Sequence, residues 1–156
     1  MEVRANVVRS AQTQAVHQME LHPFLSQKCF AAWHKSLGIH VQQFSPLGNM
    51  NSFYRDVYWS NGRANLGRLL DEPVLSEIGV KYSRSAAQVA LAWGVNHGRP
   101  VIPKSTIPWQ IRQNVESDFV LEEEDMERFD KLNADLRFNT PQEAYRWPLY
   151  KGLDGV

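Results

Sequence analysis

The chain has 156 residues, 43% of them hydrophobic, and 17 Lys plus Arg balance 17 Asp plus Glu. That length allows one compact domain with a sizeable core, and the even charge leaves no basic field to hold nucleic acid or an anionic membrane. The lone cysteine, Cys29, excludes an intrachain disulfide and fits a reducing compartment. No apolar run approaches the ~20 residues of a membrane helix, and the N-terminus has no apolar signal core, so a cytoplasmic protein with no membrane partner is expected.

In chain order, "AVHQMEL" (15–21) reads as a short buried strand, and "HPFL" then turns the chain. "SQKCFAAWHKSLG" (26–38) reads as a helix. Ser26 is its expected N-cap, Phe30, Trp33 and Leu37 recur at helical spacing, and Gly38 suits the left-handed closing position. "IHVQQFSPLG" (39–48) reads as a second strand entering a Pro/Gly loop. The irregular stretch 49–70 carries Phe53, Tyr54, Tyr58 and Trp59, which argues for a functional loop over a disordered one.

Residues 71–82 read as a helix with Asp71 as cap and Pro73 in its first turn. "SAAQVALAWGVNHG" (85–98) is the clearest helix, opened by a Ser85/Gln88 capping box, with Val89, Ala92 and Trp93 on one face. "PVIP" (100–103) is a short third strand, and "PWQIRQNV" (108–115) begins a short helix. Residues 121–137 read as a last helix whose leading acids suit the helix dipole. Strands alternating with helices predict an α/β protein with parallel pairing.

Some residues point to chemistry. Lys104 and Ser105 run into a helix start, where an ammonium, a hydroxyl and free amides can meet a phosphate; the alternative is a turn that binds nothing. Glu20 and His22 share a strand face, with His17 on the other, and no zinc-type spacing appears, so no metal site is expected. His17 or Glu20, if partly buried, suits general acid–base work. Phe53, Tyr54, Tyr58 and Trp59 line an apolar substrate pocket, pack as core or cover strand edges.

Three strings, "QMELHPFL", "FSPLG" and "VIPKSTIPWQIRQN", with "SAAQVALAW" between the second and third, resemble the aldo-keto reductases in order and spacing over residues 15–140. The tail "RFNTPQEAYRWPLYKGLDG" is similar to fungal glycerol-dehydrogenase-type members. The resemblance implies a (β/α) barrel with its active site at the strand C-termini. It matches only strands six to eight with their helices, a partial TIM-type barrel. It also implies that the tetrad of aspartate, tyrosine, lysine and histidine lies outside the matched part, as does the serine–asparagine pair that holds the nicotinamide amide.

On the same footing, Gln18 matches the carboxamide-binding glutamine, and Phe44 stands where a tyrosine usually stacks on nicotinamide. Ser45, Leu47 and Gly48 match the pyrophosphate segment, Lys104 and Ser105 the contacts to the NADP 2′-phosphate, and Asn114 the adenine-binding asparagine. The family's phosphate-clamping arginine is replaced by Gln110, which has no charged fork. His17 replaces an asparagine beside Gln18.

Three parallel strands cannot close a barrel, and their edges invite pairing. The expectation is therefore a single truncated domain over 1–156, with a divergent segment 1–14, a tail at 138–156, and completion by a homo-oligomer or a complementary chain. The start at Met1, the full tail and the aromatic loop favour a complete protein. The expected function is a repurposed, cofactor-independent small-molecule enzyme (isomerase, lyase or cyclase) of fungal secondary metabolism, using His17 or Glu20 and requiring no cofactor, or binding NADP(H) weakly. The alternatives are a remnant or subunit of an NADP-dependent reductase and a non-catalytic nucleotide- or ligand-binding protein. Alone, the chain is not expected to reduce carbonyls with NADPH.

Overall fold

A computed structural model describes residues 14–48 and 67–139. Phe53, Tyr54, Tyr58 and Trp59, and most of the 1–14 and 138–156 segments, lie outside these described residues. In order, the elements are β1 (Val16–Glu20), α1 (Lys28–Ser36), β2 (His40–Phe44), a 3-10 turn (Leu69–Asp71), α2 (Pro73–Tyr82), α3 (Ala86–Asn96), β3 (Val101–Ile102), α4 (Pro108–Val115) and α5 (Glu123–Asp130). The sheet order is β1-β2-β3. Both pairings are parallel, with Glu20 opposite Phe44 and Phe44 opposite Ile102, so the C-terminal ends of all three strands lie side by side.

Alternation along the strands divides the sheet. On one face Met19 and Val41 pack with Phe30, and with Ala31 and Trp33 at the margin. Gln43 shares this face and lies against α3 at Gly94, where an added Cβ would come 2.5 Å from Gln43 Oε1. The bare glycine therefore lets α3 press onto the sheet. The larger core gathers Leu75 and Ile78 of α2, Val89, Ala92 and Trp93 of α3 and Phe129 of α5, with Phe24 and Phe138 closing it. The opposite face carries Val16, Gln18, His40, Gln42, Phe44 and Ile102 and is largely open among the described residues. Val16 is 54% and Ile102 40% exposed, and Gln18 Nε2 donates to Gln42 Oε1 at 2.7 Å.

Local signals fared unevenly. The Ser85/Gln88 capping box is formed in full, and Gly38 sits at φ 71 behind α1. Trp93 is fully buried as expected, but Trp33 is only partly buried and Leu37 is exposed, because α1 presents Phe30 and His34 to the sheet. Ser26 does not cap α1. Its backbone N–H is held by Asn133 Oδ1 at 2.9 Å, and left-handed Gln27 takes the cap position. Asp71 does not cap α2 either; it pairs with Arg68 in the 3-10 turn, and Glu72 takes the position before α2.

The helix expected over 121–137 ends at Asp130. The backbone amides of Ala134 and Leu136 turn instead to the Phe24 carbonyl, at 3.1 and 3.0 Å. These tertiary bonds draw the chain off the helix axis and carry residues 133–139 across the C-terminal end of β1.

Candidate functional site

The strand ends place three loops together. After β1, Glu20 and His22 are buried completely, and Glu20 Oε1 lies 3.1 Å from His22 Nε2. Oε1 also accepts the Phe138 amide at 2.8 Å and Oε2 the Asn139 amide at 2.9 Å. Burial pushes this carboxyl up, but His22 and the two amides outweigh it and hold the pKa below the ordinary value. Glu20 is thus an ionised anchor for the 133–139 segment, with its lone pairs engaged.

After β2 the chain turns sharply. Ser45 (φ 49) and Gly48 (φ 63) both adopt left-handed backbone, and the Gly48 amide donates to the Ser45 carbonyl at 2.9 Å. An added Cβ at Gly48 would also meet Phe138 at 3.1 Å, so glycine serves both the turn and the close approach. Ser45 Oγ accepts from Asn139 Nδ2 at 3.2 Å, which ties the β1 and β2 ends through one residue. Phe44 and Leu47 are half-buried beside this turn.

After β3, Lys104 is exposed and forms no ion pair with a described residue. Ser105 Oγ accepts the Ile107 amide at 3.0 Å and lies 2.6 Å from Gln110 Oε1, to which it donates. The hydroxyl therefore shapes the entry to α4, and Gln110, on the first turn, folds back onto it. Asn114 is half-buried near the far end of α4, roughly 9 Å along the axis from Pro108. Gln113 fastens α4 to the start of α3, since its Oε1 accepts from Ser85 Oγ at 3.2 Å.

His17 lies apart from Glu20, on the helix-facing side of the sheet. Its Nδ1 is 2.6 Å from His34 Nε2, and His34 Nδ1 is 2.7 Å from the Phe30 carbonyl. A carbonyl only accepts, so His34 carries its proton on Nδ1. In the neutral pair, His17 Nδ1–H then donates to His34 Nε2. Burial, then the His34 charge, lower the His17 pKa.

The structure thus sets Glu20, Phe44, Ser45, Leu47, Gly48, Lys104 and Ser105 at or just beyond the C-terminal ends of the strands, with Gln18 two residues inside β1 and His17 on another face. Asn139 and His34 are partners that sequence reasoning missed. Asn139 acts across more than a hundred positions, so no local signal marks it. His34 sits one helical turn after Phe30, a spacing that would have placed it on the buried face. No group of three or more potential metal ligands occurs among the described residues.

These elements make a parallel α/β segment with three loops set together at its strand ends. Residues 4–134 match the aldo/keto reductase family model, a range that begins within the 1–14 segment. The chain belongs to that family.

It is 40% identical over 128 residues to aldo-keto reductase family 1 member A1 of Sus scrofa, covering 81% of this chain and 37% of that protein. It is 38% identical over 123 residues to glyoxal reductase of Bacillus subtilis, covering 78% and 38%. Among solved structures, it is similar to a Bombyx mori aldo-keto reductase in complex with NADP, at TM-score 0.78 and 28% identity, covering 95% of this chain and 46% of that one. The aldose reductase of Schistosoma japonicum, at 22% identity and TM-score 0.80, shares the fold over 99% of this chain and 46% of its own. The chain spans less than half the length of these relatives. No helix among the described residues is long and apolar enough to cross a membrane.

Proposed function

We propose that this chain forms the cofactor-side segment of an NADP(H)-dependent aldo-keto reductase, three strands of a (β/α) barrel, and that the carbonyl-reducing groups lie outside it. The observation that carries this reading is the side-by-side setting of three strand ends, with the Ser45–Gly48 turn, exposed Lys104 and the α4 N-terminus in the loops that follow them. Backbone amides at that helix start and the Lys104 ammonium suit a phosphate. Gln18 and Phe44 offer an amide and an aromatic face for a nicotinamide ring. The bound NADP of the Bombyx relative supports the cofactor class.

Affinity in this segment alone is weak. Gln110 brings no charge, and the Ser105 hydroxyl is already satisfied by Gln110 and Ile107. The remaining barrel strands add at the outer edges of β1 and β3, whether from the same polypeptide, a second copy or a complementary chain, and the open face bearing Val16, His40 and Ile102 then lines the barrel interior. A cofactor-independent proton-transfer role finds less support. Glu20 is ionised, fully hydrogen-bonded and 1% exposed, and His17 faces α1. Fungal secondary metabolism and the repurposed chemistry have no structural observation behind them.

The test has two arms. The chain alone, given NADPH and nitrobenzaldehyde, is expected to show no steady-state NADPH oxidation, and NADPH is expected to bind with a Kd weaker than micromolar by calorimetry. Turnover by the chain alone, or no detectable binding at millimolar NADPH, refutes the assignment of this segment to the cofactor side.

A further inference from the structure

A cleft of about 520 Å³ opens on the helix-facing side of the sheet, between α1 and the connection from α3 to β3. Arg99 precedes β3 and Lys104 follows it, so this cleft and the strand-end site lie at opposite ends of the strand. Its floor is apolar, with Ala31, Ile39 and Val41, and Lys35, His97 and Arg99 stand around it. The volume falls within the range of small-molecule sites.

Arg99 sets this cleft apart from an ordinary surface groove. The residue is 8% exposed, its Nη1 has no hydrogen-bond partner among the described residues, and its guanidinium rests over the Trp93 ring at 5.3 Å. Burial lowers its pKa to about 10, with Asp130 acting against the shift, so it is cationic at neutral pH. Asp130 is the acid nearby, but it is committed elsewhere. Lys28 Nζ holds it at 2.5 Å and Trp93 Nε1 reaches it at 3.4 Å. His97 Nε2 lies 3.6 Å from Asp130 and likewise has no hydrogen-bond partner among the described residues. A buried N–H without an acceptor is costly, and a carboxylate or phosphate seated against the guanidinium supplies a charge-assisted partner.

We propose that this cleft binds a small oxyanion, a carboxylate or phosphate group on a compact apolar body, with Arg99 as its charged partner and Lys35 at the mouth. The site is independent of the cofactor reading above. The oxyanion docks on Arg99, the apolar part lies on Ala31, Ile39 and Val41, and exposed Lys35 adds a second positive charge.

Calorimetric titration of the full 156-residue chain with inorganic phosphate and with succinate, at fixed ionic strength, tests this. A parallel set in a Lys104→Ser background removes any contribution from the strand-end loop. At least one oxyanion is expected to bind saturably in both backgrounds, and the preferred one identifies the class. Arg99→Gln is expected to weaken binding at least tenfold and Lys35→Ser several-fold, while Arg84→Gln, an equal loss of charge on another surface, leaves it unchanged. If Arg99→Gln fails to fold by circular dichroism, Lys35→Ser decides, because Lys35 is an exposed helical side chain. No saturable binding of either oxyanion, binding lost with Lys104→Ser, or unchanged affinity in the Lys35→Ser or a folded Arg99→Gln variant would overturn the proposal.

Discussion

Replacing Gln110 with arginine probes the strand-end loop at its weakest point. Gln110 now holds Ser105 Oγ at 2.6 Å and leaves Lys104 as the cation of this loop. An arginine on the first turn of α4 adds a planar cation to the same loop. One charge-assisted bond to a phosphate contributes ~1.5–3 kcal/mol. The Ser105 bond is absent from the variant whether free or bound, so it bears on stability and not on affinity, and the gain corresponds to roughly 10- to 150-fold in Kd. Titration of Gln110→Arg and wild type with NADPH and with NADH, at fixed salt, measures it. NADPH affinity is expected to rise by that factor and NADH affinity to stay constant, since NADH lacks the 2′-phosphate. Equal gains for both cofactors, or an NADPH shift under twofold with unchanged Tm, would show that residue 110 does not face the phosphate.

Three further outcomes are expected. Glu20→Gln exchanges an acceptor of three bonds for a side chain with one acceptor atom, and unfolding in denaturant should register a loss of ~1–3 kcal/mol at pH 7. The Glu20 pKa is lowered on folding, so its stabilisation is present above the ordinary value of 4.5 and lost as pH falls through the folded pKa; the wild type should show that acid-side slope and the variant a flatter one, with identical slopes counting against the anchor role. The His17 pKa is also lowered by folding, so the neutral ring stabilises the fold above 6.5 and that contribution is lost as pH falls; stability curves between pH 5 and 8 should flatten in His17→Gln, and an unchanged curve would rule out the His17–His34 pair as the titrating element. Gly94→Ala places a Cβ 2.5 Å from Gln43 Oε1 and 2.8 Å from Val101 Cγ2; overpacking of this kind costs ~1–3 kcal/mol, and a thermal midpoint at or above wild type would mean that α3 and the sheet are less tightly apposed.

Signals that act over one turn of chain were readable in the sequence. The Ser85/Gln88 box closes on itself within four residues, and the strand runs follow from apolar pattern and flanking breakers. Helix ends set by distant partners were not readable. Nothing near Asp130 says that the Phe24 carbonyl will collect two amides beyond it, and nothing near Ser26 says that Asn133 will claim its N–H. The strand-end residues were legible through motif resemblance, because the loop strings are specific. Their hydrogen-bond partners were not: the Ser105 hydroxyl also shapes the α4 entry through Gln110 and the Ile107 amide. Glu20 looked like a candidate base because a carboxylate on a strand end is chemically able, and only the three-dimensional structure reveals the two amides that occupy it.

Those two amides also fix a geographic origin for everything that follows them. The chain beyond Asn139 departs from a point clamped to β1 by Glu20 and to the β2 turn by Ser45. The Glu20 half of the clamp is made of main-chain donors, the Phe138 and Asn139 amides, and the Ser45 half of the Asn139 side chain. The Glu20 half therefore survives any substitution at Asn139 short of proline, whereas the Ser45 half is lost with any side chain there that cannot donate.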